Sequence, residues 1–468
     1  MNSEIKVYPR EEGGIQRVQC LRWEDWSQLD FLHPVYNNAA VDCFADIYEN
    51  FLVPACPWLF GNMVMFHLPE ELADVIDFPM EDTRYGQLAS QLTATALAME
   101  KGVKIIGGKP VFSDKKIEAL WKELEERRCL RVIRGKLPFT KAIPVGNCPG
   151  YLTDIEPDAA MKANASFFIM DSFDCATVYD HVGTVLGLCV KDGVVMNPPL
   201  YNREALLVRK DGSVSVSQID VRDMEIEIAG VRYKHGENVT IYTRPERLRT
   251  PGGRDKKLVI VGNRVVAVKD GGSAEIPASG YVMSIREVPQ GNRKDRGDTA
   301  DACKTVTGWM QPGAEVIYHG MEDVQFGIQV GNSLVRDGVK TEKFISRFYN
   351  IRRLEPIPFP PSLYPMDYDK ARAARMALGA DKDGKPMLLW AEGAAKFGYV
   401  PGESSTGASL KELAEIAVDL GMVNGINLDG GGSAQILVGN ERTLKISDRN
   451  RDDHSEAERL VPLGLVVR

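Results

Sequence analysis

The chain has 468 residues, 44% of them hydrophobic and 26% charged, and a formal net charge of -8 at pH 7. This length predicts two or three domains, and this composition predicts a folded, soluble chain rather than a disordered one. The acidic balance argues against nucleic-acid binding, which needs surplus Lys and Arg, and no run approaches the roughly 20 apolar residues of a bilayer span.

Residues Met1 to Arg10 are polar and carry no apolar core of a secretory signal. The 8 cysteines are scattered without a Cys-x-x-Cys pair, so zinc ribbons and redox motifs find no support. Both features predict reduced thiols and a cytoplasmic protein.

Residues 1–146 read as a smaller α+β domain of unknown role. Leu88, Leu92, Ala96 and Met99 fall at helical spacing between Tyr85 and Lys101, with Gly102 as a stop. A strand is expected at Val103 to Ile106. A second helix is expected from Asp114 to Arg127, and another strand from Leu130 to Ile133. The Pro and Gly of Asn147-Cys148-Pro149-Gly150 mark the boundary.

Residues 147–468 read as a mixed α/β domain: a mixed β-sheet core with flanking helices. Asp192-Gly193, Asp211-Gly212, Asp337-Gly338 and Asp383-Gly384 each separate apolar or alternating runs, as hairpin turns requiring positive φ would. The basic stretch Arg244, Arg247, Arg249, Arg254, Lys256 and Lys257 reads as a solvated loop. Residues Pro356 to Pro361 read as an extended linker. Ser409 and Glu412 fit a capping box ahead of a stripe of Leu410, Leu413, Ala414, Ala417 and Leu420. Gly421 ends that helix, and Gly425 to Leu428 then reads as a buried strand with Asp429 at its C-terminal end, where ligands gather in α/β architectures.

The chemistry concentrates in Asp429-Gly430-Gly431-Gly432-Ser433. Three consecutive glycines lose much conformational entropy on folding, so packing alone explains them poorly. They offer backbone that a ligand can approach closely and N–H groups that can face an anion. Asp429 adds a carboxylate. Ser433 reads as a loop hydrogen-bonder, since no Gly-x-Ser-x-Gly elbow surrounds it.

Asn427-Leu428-Asp429-Gly430-Gly431-Gly432-Ser433, following a capped helix, resembles the signature of the phosphodiester glycosidase family. Further segments match in order. Asn164-Ala165-Ser166-Phe167-Phe168 resembles an Asn-Gly-Gly-Phe-Phe segment, and Gly331 to Gly338 resembles a Gly-x-x-Leu-x-x-x-Gly strand and turn. Arg375 to Gly379 stands for Arg-Thr-Ala-Ile-Gly, Ala391-Glu392-Gly393 for Val-Asp-Gly, and Arg459 for an Arg before the last strand. Ala165, Ser166, Glu392 and Ala394 depart from the family pattern.

The resemblance implies a hydrolase of glycosyl-1-phosphodiesters. Asp429 and Glu392 would be the catalytic carboxylates, and Arg375, Asn164, Gly430, Gly431, Gly432 and Ser433 the substrate-binding residues. The plainer alternatives are that Glu392 and Arg375 form salt bridges and that Asn164 satisfies turn backbone. No cofactor is required by such chemistry; a structural divalent cation and self-association stay open. His181 and His454 read as exposed, and Asp452 and Asp453 lack EF-hand spacing. The expected partner is a small molecule or glycan with a sugar-1-phosphate linkage, with no nucleic acid and no membrane. Two alternatives share the same loop: a non-catalytic glycan- or nucleotide-sugar-binding module, and a hydrolase of nucleotide sugars.

Overall fold

The computed structural model describes residues 1–10, 14–32, 64–66, 101–106, 109–126, 130–132, 150–169, 177, 179–180, 183–200, 203–236, 239–244, 246–286, 312–344, 371–394, 400–449, 455–459 and 461–468. The helix expected from Tyr85, the proline-rich linker, His181, Asp452, Asp453 and His454 lie outside the described residues, apart from the end of that helix at Lys101.

A seven-stranded sheet organises the candidate site. Its order is Asn2–Pro9, Ile15–Arg22, Pro386–Ala391, Arg375–Asp381, Met422–Leu428, Ser333–Arg336 and Val339–Lys340. Neighbouring strands in it run antiparallel. Side chains alternate between its faces, as the period of two dictates. Ala377, Leu389 and Ala391 meet Leu410, Leu413, Ala414 and Ala417 of the helix Leu410–Asp419. Met376, Leu378, Trp390, Ile426 and Leu428 point the other way, into a larger core shared with Leu206, Val208, Phe326 and Ile328. Those four belong to a five-stranded sheet containing Arg203–Arg209 and Val324–Gln329.

A four-stranded sheet runs Ile436–Val438, Met161–Asn164, Gly464–Val467 and Leu29–Leu32. It brings Asn164 and the chain just beyond the Asp429 loop together from opposite ends of the expected catalytic region.

All four Asp-Gly pairs turn hairpins, between the strands that flank them. Asp192 and Asp337 take φ of 51° and 50°, the left-handed region that Asp tolerates better than most residues. The expected capping box is present: Ser409 accepts from the Glu412 amide, and the Glu412 carboxylate accepts from the Ser409 amide. The helix expected from Asp114 spans Lys115–Glu126, and Asp114 accepts from the Lys116 and Ile117 amides.

Three expectations change. The body is built mainly from sheets, and flanking helices are few: among the described residues of 147–468, the helix Leu410–Asp419 is the single α-helix. The first 32 residues are not part of a separate N-terminal unit. Ile15–Arg22 pairs with Pro386–Ala391, and Leu29–Leu32 with Gly464–Val467, so the long-range strand pairs place these residues in the C-terminal body. Lys256 and Lys257 lie in the strand Lys256–Val261 rather than in a solvated loop, with Lys257 buried.

Candidate active site

Asp429 follows the last residue of Met422–Leu428, and the pairing of Met376 with Leu428 puts Arg375 across from it at the same sheet end. The Asp429 amide donates to the Ala165 carbonyl at 3.0 Å. Asn164 fixes the loop from below. Its Nδ2 donates to the Asp429 carbonyl at 2.7 Å, and its Oδ1 accepts from the Gln435 amide at 3.0 Å.

The turn Gly431–Ser433 follows at once. Gly431 takes φ of +59°, which favours glycine, and a side chain there would meet open space. Gly432 is glycine for a different reason. A Cβ there would lie 2.2 Å from both Arg459 Nη2 and Asp448 Oδ2. Those two residues form an ion pair, with Arg459 Nε and Nη2 at 2.9 and 2.7 Å from Asp448 Oδ2.

The Asp429 carboxyl is buried, and burial pushes its pKa up to about 6. The nearby Ser433 hydroxyl, the charge of Arg459, the Gly430 amide and the charge of Arg375 pull the other way and lose to burial. The Ser433 hydroxyl is itself fully buried and, among the described residues, makes no hydrogen bond of ordinary geometry. Asp429 is therefore a carboxyl poised near neutrality between two cations, which is where a proton-transferring group works best.

Residues 256–468 match the family model described as phosphodiester glycosidase. That span, a little under half of the chain, is similar to phosphodiester glycosidases. The matched span contains Asp429, its glycine loop, Arg375, Asp448 and Arg459; Asn164 lies before it.

A comparison with curated proteins returned no match. Among solved structures, a hypothetical protein from Synechocystis aligns at 15% identity with a TM-score of 0.40, covering 99% of this chain and 61% of that one. The zebrafish N-acetylglucosamine-1-phosphodiester α-N-acetylglucosaminidase catalytic domain, auto-inhibited by its pro-peptide, aligns at 12% identity with a TM-score of 0.37, covering 100% of this chain and 82% of that one. This chain thus spans under two thirds of the first structure and most of the second.

Around Asp429 the expected residues divide. Asp429, Ser433 and Arg375 converge. Arg375 is buried, with Nε and Nη2 donating to the carbonyls of Ala408 and Ala371 at 3.1 and 2.8 Å. The glycine amides are less available to an anion than expected, because Gly431 donates to the Ala374 carbonyl at 2.8 Å and Gly430 faces Asp429.

Glu392 takes the plainer of its two expected roles. Its Oε2 accepts from Arg17 Nη1 and Ser405 Oγ at 3.3 and 2.5 Å, and its Oε1 from the Lys445 amide at 3.0 Å. Asn164 does likewise, with its oxygen and nitrogen both held by loop backbone. Asp448 was not singled out by sequence reading, because nothing in Lys445-Ile446-Ser447-Asp448 marks it before its Arg459 partner is seen. Among the described residues, no group of three or more His, Cys, Asp or Glu side chains gathers as a metal site, and no helix is long and apolar enough to cross a membrane.

Proposed function

We propose that this domain hydrolyses the sugar–phosphate bond of a glycosyl-1-phosphodiester, releasing a sugar and a phosphomonoester. The observation that carries this reading is the buried Asp429 carboxyl, with its pKa near 6, standing between the charges of Arg375 and Arg459. A phosphomonoester leaves readily because its second pKa is about 6. The reaction therefore needs one carboxylate at the anomeric carbon and positive charge at the departing phosphate, rather than the two carboxylates of ordinary glycosidases.

In the simplest sequence Asp429 acts as a base. Water oxygen bonds to the anomeric carbon as the carbon–oxygen bond to phosphate breaks. The water proton passes to Asp429, and the electron pair of the broken bond leaves with the phosphomonoester. Arg375 and Arg459 stabilise the charge growing on that group, as guanidinium ions suit phosphate. The same carboxylate attacking carbon directly would give a covalent intermediate, with the same partners and products. Ser433, whose hydroxyl is buried beside Asp429, orients the carboxylate or a sugar hydroxyl.

The substrate is a small molecule or glycan with a sugar-1-phosphate linkage, and the reaction requires no cofactor. A cytoplasmic setting is in keeping with the free, buried thiols of Cys20 and Cys189, and subcellular fractionation tests it. A panel of glycosyl-1-phosphate diesters and nucleotide sugars, followed by phosphorus NMR, tests the function. Release of a phosphomonoester from a diester supports the reading, and tight binding of every substrate without turnover would replace it with a binding module.

A further inference from the structure

We propose that Glu392 is a positioning residue for the Asp429 centre, joining through its two carboxylate oxygens the loop that holds Arg375, the loop that holds Arg459, and the strand Ile15–Arg22. The inference rests on the proposed role of Asp429 and adds a residue that acts through others.

One arm runs through Ser405. The Ser405 hydroxyl donates to Glu392 Oε2 at 2.5 Å and accepts from the Arg17 amide at 3.0 Å. Three residues on, Ala408 exchanges backbone hydrogen bonds with Ala373, and its carbonyl also accepts from Arg375 Nε. The second arm runs through Lys445, whose amide donates to Glu392 Oε1 at 3.0 Å. Three residues on, Asp448 holds Arg459 through two guanidinium nitrogens. The residue after Glu392 packs close to the second loop, since a Cβ on Gly393 would stand 2.2 Å from the Ser447 hydroxyl oxygen.

A third tie crosses to the N-terminal strand. Arg17 Nη1 lies 3.3 Å from Glu392 Oε2, the Glu392 amide donates to the Arg17 carbonyl at 3.0 Å, and Gln16 Nε2 donates to the Glu392 carbonyl at 2.8 Å. Glu392 is 5% exposed. A carboxylate at this depth is retained where it answers several donors at once. Here it accepts from Arg17, Ser405 and the Lys445 amide, which an amide of the same shape cannot do because one of its ends only donates.

The consequence is electrostatic. The charged groups that face Asp429 are Arg375, from the strand Arg375–Asp381, and Arg459, from the segment 455–459 with Asp448 beside it. Both arginines hold the Asp429 pKa down against burial. Loosening their two loops weakens that pull and moves the Asp429 titration upward. A purely structural brace would instead lower activity equally at every pH.

The test compares wild type, Glu392→Gln and Ser405→Ala in the full chain. Asp429 is titrated by carbon-detected NMR of its carboxyl, assigned with Asp429→Asn, and kcat/KM is followed against pH. For Glu392→Gln the titration midpoint and the acid limb of kcat/KM should rise by about half to one pH unit. A shift of one unit would mean a loss of about eightfold at pH 5.5 that is recovered to within about 10% at pH 8. Ser405→Ala cuts the Arg375 arm, together with the bond from the Arg17 amide, and leaves the Lys445 arm in place; it should give a smaller shift of the same sign, so it carries the test if Glu392→Gln does not fold. Unchanged Asp429 midpoints in folded variants would overturn the inference. The carboxyl titration needs no turnover, so absence of any substrate would count against the proposed reaction and leave this comparison intact.

Discussion

The side-chain amide of Asn164 grips the main chain on both sides of the triglycine turn, donating to the Asp429 carbonyl at 2.7 Å and accepting from the Gln435 amide at 3.0 Å. Asn164 ends the strand Met161–Asn164, which pairs with both Gly464–Val467 and Ile436–Val438. The loop bearing the Asp429 carboxyl is thus anchored to a separate sheet rather than only to its own strand.

Removing this grip should cost stability and activity together. Asn164→Ala leaves two buried backbone groups without partners, a loss of about 2–4 kcal/mol. Chemical denaturation should report that loss, while the remaining folded enzyme should show a kcat lowered at least about tenfold through misplacement of Asp429. Asn164→Asp should lose the bond to the Asp429 carbonyl, because a carboxylate has no N–H to donate.

Gly432 separates function from fold in another way. In Gly432→Ala the new methyl group would occupy the place of the Asp448–Arg459 pair. We expect kcat/KM to fall about a hundredfold, since that pair sits at the proposed phosphate end. Gly431→Ala should instead cost only about 1 kcal/mol of backbone strain, because its side chain would enter open space at positive φ. Parallel melting and activity measurements distinguish the two.

The pH dependence follows from burial of Asp429. Its pKa rises from 3.8 unfolded to about 6 folded, so the folded state retains a proton that the unfolded state has released. The Asp429 contribution to stability is therefore fully present below pH 3.8, declines as pH rises through about 6, and is constant above. The cost at pH 8 is on the order of 3 kcal/mol. Asp429→Asn should accordingly melt no lower than wild type at pH 8. The wild-type kcat/KM should rise with pH through about 6, as a reaction needing ionised Asp429 requires.

Much of this arrangement can be read from the residues. The Asp-Gly hairpins, the Ser409 capping box and the buried strand before Asp429 each rest on local chemistry within a few positions. What local chemistry does not contain is pairing across hundreds of residues. Val18 lies against Ala391, and Leu465 against both Phe31 and Ala163. The pattern of Ile15–Arg22 announces a strand but not its partner in Pro386–Ala391. Glu392 illustrates the same limit in the site. A carboxylate after an apolar strand fits catalysis and ion pairing equally well, and only the positions of Arg17, Ser405 and Lys445 separate the two.

Turnover of a glycosyl-1-phosphodiester in oxygen-18 water, by wild type and by Asp429→Asn, shows which bond breaks and whether Asp429 takes part. Attack at the anomeric carbon predicts label in the released sugar and none in the phosphomonoester, with turnover lowered at least about a thousandfold in the folded Asn variant. Label in the phosphate, or undiminished turnover by Asp429→Asn, would contradict the proposed reaction.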